Sequence, residues 1–204
     1  MPRDRFATRA LILESAAGII AAEGIGGLGI NSLASAAQCD KVLIYRYFGG
    51  LTGVLAALGA ERMVWPRVEM PSVDGGEESL AQAVEGVLLE EWAALSGSTL
   101  MLASAAAELA PTGQALGAAT AEQRAKLHAK MIAALREQYQ VPAYVDLPAL
   151  VELLSAALTV FALRTAHASG PNPGALDIAS PPGWRRIEKM MSAVTRALLN
   201  TNGR

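Results

Sequence analysis

Apolar residues recur every three or four positions along most of the chain, which is the spacing of one face of an α-helix. The first such stripe consists of Phe6, Ala10, Leu13, Ala17 and Ile20. No segment alternates apolar and polar residues over the roughly four to eight positions that a half-buried strand requires. The pattern therefore predicts an all-α protein.

Glycine and proline interrupt the helical pattern at regular places. The predicted helices after the first are 30–37, 42–48, 51–64, 77–94, 98–109, 112–139, 147–169 and 183–200. The clearest linker is the segment 71–76, PSVDGG. The chain is thus expected to contain about nine helices.

The segment 30–47 has the pattern of a helix-turn-helix. Asp40 is placed to cap the helix that begins at residue 41, because a carboxylate accepts hydrogen bonds from free backbone N–H groups. Four apolar residues predict a seam between the two helices: Leu33, Ala34, Ala37 and Ile44. In this motif the second helix enters the major groove of DNA and the first crosses the backbone. The predicted DNA contacts are Lys41, Val42, Leu43, Tyr45, Arg46 and Tyr47, with Asn31, Ser32 and Arg5.

Several spaced elements carry a resemblance to a known family. They are RALILESAA at 9–17, Glu23-Gly24, Leu33-Ala34-x-x-Ala37, LIYRYF at 43–48 and Val54-Leu55. Together they resemble the N-terminal domain of TetR-type (tetracycline-repressor-like) transcriptional regulators over about 50 residues. The resemblance implies a DNA-binding domain at 1–50, with the helix-turn-helix at about 28–47, and a ligand-binding and dimerisation domain at 51–204.

The resemblance also implies a function. The expected protein is a homodimeric repressor that binds a near-palindromic operator on double-stranded DNA and is released by a small molecule, here expected to be apolar. The predicted ligand contacts are Trp92, Met101, Met131, Phe161 and Arg164. The predicted dimer contacts are Leu150, Leu154, Leu158, Trp184, Ile187, Met191, Val194 and Leu198.

Three positions depart from the family pattern. Gln38 stands at the turn glycine, Gly29 at the Ser or Thr that caps the second helix, and Leu51 at a lysine that contacts phosphate. These departures motivate a second hypothesis, a TetR-like ligand-binding or interaction scaffold whose DNA binding is weakened or lost.

Composition and charge exclude several other classes. A chain that is 52% hydrophobic and 18% charged is not disordered, and a net charge of −2 argues against general polyanion binding. The longest charge-free stretches have 16 residues, short of the roughly 20 that span a membrane. The N-terminus has no pattern of a secretory signal, and Cys39 is the sole cysteine, so a cytoplasmic protein is expected.

The sequence contains no pattern typical of a metal centre or an enzyme. His128 and His167 lie outside any metal-binding motif, so neither a metal nor a cofactor is expected. GxSxG and other catalytic motifs are also missing from the sequence, and the protein is predicted not to be an enzyme. An all-α enzyme is kept as a third hypothesis, because an apolar pocket can host chemistry without a motif.

Overall fold

The helices predicted from the sequence are present in a computed structural model, which describes residues 5–61, 79–110, 113–166, 177–178 and 180–199. Within these residues the chain forms nine α-helices, a short 3-10 helix at Ile25–Gly27 and no strand, which confirms the all-α prediction. The helices are α1 (Arg5–Glu23), α2 (Ile30–Ala36), α3 (Lys41–Phe48), α4 (Leu51–Glu61), α5 (Leu80–Gly97), α6 (Thr99–Leu109), α7 (Gln114–Gln138), α8 (Leu147–Ala166) and α9 (Pro181–Leu199).

The chain divides into two compact units. The first unit comprises Met1–Pro66 and Gly97–Ala125, and the second comprises Arg67–Ser96 and Lys126–Arg204. Helices α4 and α6 therefore belong to the same unit as the helix-turn-helix. The functional boundary at residue 50, which the resemblance implies, stays a prediction.

The core of the first unit joins α1 to the helix-turn-helix. Its buried residues are Ile12, Leu13, Ala16, Ile20, Leu33, Ala34, Ala37, Ile44, Val54, Leu58, Ala107 and Leu116. The predicted seam between α2 and α3 is confirmed, since all four of its residues are buried. Ala37, which is fully buried, is small enough to let the two helices cross closely.

The buried face of α1 differs from the predicted one. Phe6 is 80% exposed and Ala10 is also exposed, whereas Ile12 and Ala16 are fully buried. Leu13 and Ile20 of the predicted stripe are buried as expected, so the buried face shares these two residues with the prediction and extends toward Ile12 and Ala16. Burying the large side chain of Ile12 stabilises the fold more than burying the alanines of the predicted stripe, which fit the periodicity without determining the face.

Local sequence explains where the helices begin. The carboxylate of Asp40 accepts a hydrogen bond from the backbone N–H of Val42 at 2.9 Å, which confirms the predicted cap of α3. The same role is played at later helices by a short side chain just before the helix: Ser79, Ser98, Asp146 and Ser180. Gly29 caps α2 without a side chain, as predicted, and its N–H instead donates to the hydroxyl of Ser32 at 2.9 Å.

The turn between α2 and α3 is a Schellman motif. The N–H of Cys39 donates to the carbonyl of Ala34 at 3.0 Å, and the N–H of Gln38 donates to the carbonyl of Ser35 at 3.2 Å. This motif places one residue in the left-handed region, usually glycine. Here that residue is Gln38, with φ +47°. Its Cβ opposes this conformation, so the turn carries local strain.

The second unit has a core of its own, to which α5, α7, α8 and α9 contribute. The buried residues of this core are Leu80, Ala81, Ala83, Val84, Val87, Leu88, Met131, Ile132, Leu135, Leu147, Leu150, Val151, Leu158, Met191 and Leu199. Helix α8 is the single described helix whose length and composition alone would suit a membrane span. It contributes Leu147, Leu150, Val151 and Leu158 to this core, and core helices commonly have the same composition.

Replacing Gln38 by glycine is expected to stabilise the first unit. Glycine adopts φ +47° without the Cβ penalty, so the free energy of unfolding should rise by about 0.5–1 kcal/mol. Urea denaturation measures this change, and Gln38→Ala, which keeps the Cβ, should show no gain. A glycine variant no more stable than the alanine variant would show that the turn is unstrained.

Candidate nucleic-acid interface

One face of α3 is free because the opposite face is anchored. Ile44 is fully buried against the first-unit core. The exposed residues include Lys41, Arg46, Val42 at 59% exposure and Tyr45 at 56%. Two basic side chains, one phenol and one aliphatic group therefore share the surface that a helix-turn-helix presents to a major groove.

The remaining predicted contacts on the two helices have mixed roles. Leu43 and Tyr47 are half-buried, and Tyr47 packs against the first-unit core. Asn31 is exposed on the first turn of α2. The hydroxyl of Ser32 accepts from Gly29 and lies 3.1 Å from the carbonyl of Gly27, so it is engaged in capping.

An open groove runs between α2 and α3. Its volume is about 630 Å³, and its lining combines polar and apolar side chains. The lining residues are Asn31, Ala34, Ser35, Gln38, Cys39, Asp40, Lys41 and Leu43. Three of the predicted DNA contacts thus border one concave surface.

Two arginines of α1 lie over the rings of α3. The guanidinium carbon of Arg5 lies 5.8 Å from the ring centroid of Tyr47, and that of Arg9 lies 5.0 Å from the centroid of Phe48. Arg9 also forms a bidentate ion pair with Glu61, the last residue of α4. These contacts attach the start of α1 to both α3 and α4.

The arginine pair with Glu61 shifts the titration of both partners. The hydrogen bonds that Arg9 donates lower the pKa of Glu61, with a smaller Coulombic contribution from the same guanidinium. The same hydrogen bonds raise the pKa of Arg9. Both groups therefore stay charged over a wider pH range than they would alone.

The substitution at residue 51 is accommodated by packing. Leu51 opens α4 and packs against the first-unit core, together with Phe48. An apolar side chain here strengthens the junction of α3 and α4 but cannot contact a phosphate.

Comparison with known proteins supports this fold. No model of a protein family matches the chain. Over 69 residues it is 35% identical to the HTH-type transcriptional repressor SCO4008 of Streptomyces coelicolor, a match that covers 34% of this chain and 36% of the repressor. The match therefore spans about a third of that relative.

Solved structures match over nearly the whole chain. A TetR transcriptional regulator from Agrobacterium tumefaciens has a TM-score of 0.68 at 16% identity, over 96% of each chain. The chain has the TetR-family fold. The transcriptional regulator FadR from Bacillus subtilis, solved in complex with stearoyl-CoA, has a TM-score of 0.58 at 12% identity, over 93% of this chain and 95% of FadR.

In this TetR-type fold, the predicted ligand contacts are divided between the two units. Met101 is buried in the first unit, whereas the other four residues belong to the second. Met131 lies in the second core, and Trp92 stacks on Trp184 with centroids 3.9 Å apart. Phe161 is half-buried and Arg164 is exposed. A role for these residues in ligand binding stays a prediction.

The predicted dimer contacts divide between core and surface. Leu150, Leu158 and Met191 are buried inside their own subunit, so they are not available to a partner. Leu154, Trp184 and Ile187 are half-buried. The outward apolar residues are Leu153 and Val160 on α8 and Met190, Val194 and Leu198 on α9. Helix α8 is apolar on nearly every side, and periodicity alone could not tell which side faces the core.

The sequence analysis missed a polar cluster inside the second unit. Glu91 of α5 is 4% exposed, His128 of α7 is 7% exposed, and Ser155 of α8 is 1% exposed. The three residues are distant in sequence and match no motif. One feature of the sequence indicated this cluster weakly. Glu91 falls among the apolar positions of α5, where a carboxylate is unexpected. Among the described residues, no group of three or more His, Cys, Asp or Glu side chains could hold a metal ion.

Replacing Glu61 by glutamine tests the attachment of α1 to α4. Because the pKa of Glu61 is lowered in the folded state, the ion pair stabilises the fold above the unfolded carboxyl pKa of about 4.3. This contribution is lost as the pH falls through the folded-state pKa. Since both side chains are partly exposed, the variant should be only about 0.5 kcal/mol less stable at pH 7.

Urea denaturation at neutral and acid pH measures this difference, which should vanish in acid. In an Arg9→Gln background, Glu61→Gln should cost nothing further, because the pair is already broken. An equal loss in that background would show that the stability comes from another contact of Glu61.

Proposed function

We propose that this protein is a DNA-binding transcriptional regulator, most simply a repressor, that reads a major groove with α3. The observation that carries the proposal is the anchored helix-turn-helix, in which buried Ile44 directs Lys41, Tyr45 and Arg46 outward. The partial identity to a transcriptional repressor supports it, as does the TetR-type fold. The proteins in these comparisons are regulators, which favours a regulator over an enzyme.

The departures from the family pattern are compatible with DNA binding. The Schellman turn forms with Gln38 in the left-handed position, α2 begins at Gly29, and Leu51 packs at the start of α4. None of the three displaces an exposed basic residue of α3. The three departures therefore give no reason to prefer a scaffold that does not bind DNA. Failure to bind DNA in the test below would favour that scaffold.

We propose further that the protein acts as a homodimer through α8 and α9. Both helices contribute to the core of the second unit, and each leaves apolar side chains outside it. Leu153 is 68% exposed and Met190 is 63% exposed, so both apolar side chains are accessible to a partner subunit. Two copies related by a two-fold axis would cover these stripes with the same surface on each subunit.

The second unit is proposed to bind the small-molecule effector. FadR, which shares the fold, was solved with stearoyl-CoA, so the fold can accommodate a ligand. If ligand and DNA favour different states of the dimer, each weakens the binding of the other by the same factor, typically about 1–3 kcal/mol. The intracellular action of such a regulator agrees with the cytoplasmic location expected from the sequence.

Replacing Arg46 by alanine should weaken specific DNA binding by about 1–3 kcal/mol without changing the oligomeric state. Fluorescence anisotropy on the DNA upstream of the protein's own gene, with an unrelated duplex as competitor, measures the loss. The matched control is Arg136→Ala, which removes an exposed arginine from the last turn of α7. Equal affinities for the Arg46 and Arg136 variants would remove Arg46 from the interface.

Replacing Leu153 by aspartate should weaken the dimer, because a charge would be buried at the subunit contact. Because Leu153 is exposed in the single subunit, the substitution should not affect folding. Sedimentation equilibrium should show a dissociation constant raised by about tenfold or more. Ala133→Asp, at an exposed position of α7, serves as the control. A Leu153 variant that dimerises like the control would place the interface elsewhere.

A further inference from the structure

Glu91 carries a carboxylate into the core of the second unit. Its carboxylate oxygen Oε1 accepts a hydrogen bond from the hydroxyl of Ser155 at 2.6 Å. Its other oxygen, Oε2, lies 3.5 Å from Nε2 of His128, beyond the usual length of an N–H···O bond. Among the described residues, His128 is the only basic side chain within ion-pair distance of Glu91.

The same protein shows how a well-paired carboxylate differs. Glu108 meets Arg124 in a bidentate pair with distances of 3.0 and 2.7 Å, although both side chains are less buried than Glu91. A guanidinium supplies a full positive charge and two aligned donors. Glu91 has one hydroxyl donor and one distant imidazole, so its compensation is incomplete.

Two further polar atoms in this region have no hydrogen-bond partner. They are Oγ1 of Thr159 and Nδ1 of His128, which lies at ion-pair distance from Glu152 without hydrogen-bond geometry, and both residues are more than nine-tenths buried. Thr159 follows Ser155 by one helical turn, so the two hydroxyls lie on the same face of α8. Buried polar atoms without partners are rare in folded proteins and are costly unless a ligand or a function explains them.

The charges around His128 sum to a negative value. Nδ1 of His128 lies 3.4 Å from Glu152 Oε2, so two carboxylates face one imidazole. Even an imidazolium would leave one negative charge uncompensated. The side chain of Glu152 is 63% exposed, so the imidazole of His128 lies between a surface carboxylate and the buried carboxylate of Glu91.

The surroundings of the cluster are apolar. One helical turn from its members lie the buried side chains of Leu88, Leu95, Met131 and Leu158. A molecule bound at the cluster would thus meet a carboxylate and hydroxyls at one end and hydrocarbon at the other. A binding site lined in this way would select a ligand that is apolar apart from one polar group.

From these observations we infer that Glu91, with Ser155, Thr159 and His128, forms the polar end of a binding site for an organic cation with an apolar body. The ammonium group would donate to the oxygen of Glu91 that Ser155 leaves free and would supply the missing positive charge. Glu152 would attract the cation at the surface. A single positive charge thus refines the apolar effector expected from the sequence.

A metal ion does not fit the same residues. His128 approaches Glu91 and Glu152 through opposite ring nitrogens, so the two carboxylates lie on different sides of the ring and cannot share one ion with it. This geometry agrees with the lack of a metal-binding group among the described residues.

Isothermal titration calorimetry of the full chain, without DNA, tests the inference with three probes of equal length: octylammonium, 1-octanol and octanoate. Octylammonium should bind at least about tenfold more tightly than 1-octanol, and octanoate should bind most weakly, because the charge decides the order. Glu91→Gln, which keeps the acceptor for Ser155, should lose at least about tenfold in octylammonium affinity and none in 1-octanol affinity.

The matched control is Glu90→Gln, which removes the same charge from an exposed position on the same helix. Its affinities should equal those of the unmodified protein. Thermal denaturation of both variants checks folding, and Glu91→Gln should be at least as stable as the unmodified protein, because it no longer buries a charge. Equal binding of octylammonium and 1-octanol, unchanged octylammonium affinity in Glu91→Gln, or no octylammonium binding would each overturn the inference.

The inference rests on the proposed function only in treating this site as the effector site. Anisotropy on DNA with the same preparation separates the two claims. Octylammonium binding that depends on Glu91, without DNA binding, would support the cation site and contradict the regulator. DNA binding, together with octylammonium binding that does not depend on Glu91, would support the regulator and contradict the cation site.

Discussion

Ile44 is the one fully buried side chain of α3, and its burial against the first-unit core sets the orientation of every other residue on that helix. The Schellman turn brings α3 against α2, and Ala37 is small enough to permit the close crossing. Arg5 and Arg9 then lie over the two rings at the end of α3. The proposed DNA-reading surface depends on this packing, because a rigidly held helix presents its basic side chains in one arrangement.

The second unit differs from the first because it buries a carboxylate, that of Glu91, in its core. Burial of a charge is costly unless the charge is paired, and Glu91 is paired less completely than Glu108 in the first unit. Stability alone would favour an apolar residue at that position. A carboxylate that contributes little to stability is consistent with the cation-binding role proposed for Glu91.

Local signals in the sequence were sufficient for the helix-turn-helix. The cap at Asp40, the seam through Ile44 and the exposed face of α3 all follow from short-range rules. Periodicity could not orient α1, where Ile12 rather than Phe6 is buried, or α8, which is apolar on nearly every side. It could not find the cluster around Glu91, because that site joins residues of three helices that only tertiary packing brings together. Long-range polar contacts leave no periodic pattern.

Selection of bound sequences from a random pool of DNA duplexes would test the central claim most directly. A two-fold dimer with one recognition helix per subunit predicts enriched sequences with two inverted half-sites, separated by about one helical turn of 10–10.5 base pairs or a multiple of it. Enriched duplexes should also bind two protomers. A pool that shows no enrichment after repeated rounds, at salt low enough for phosphate contacts, would contradict the account and favour a scaffold that does not read DNA.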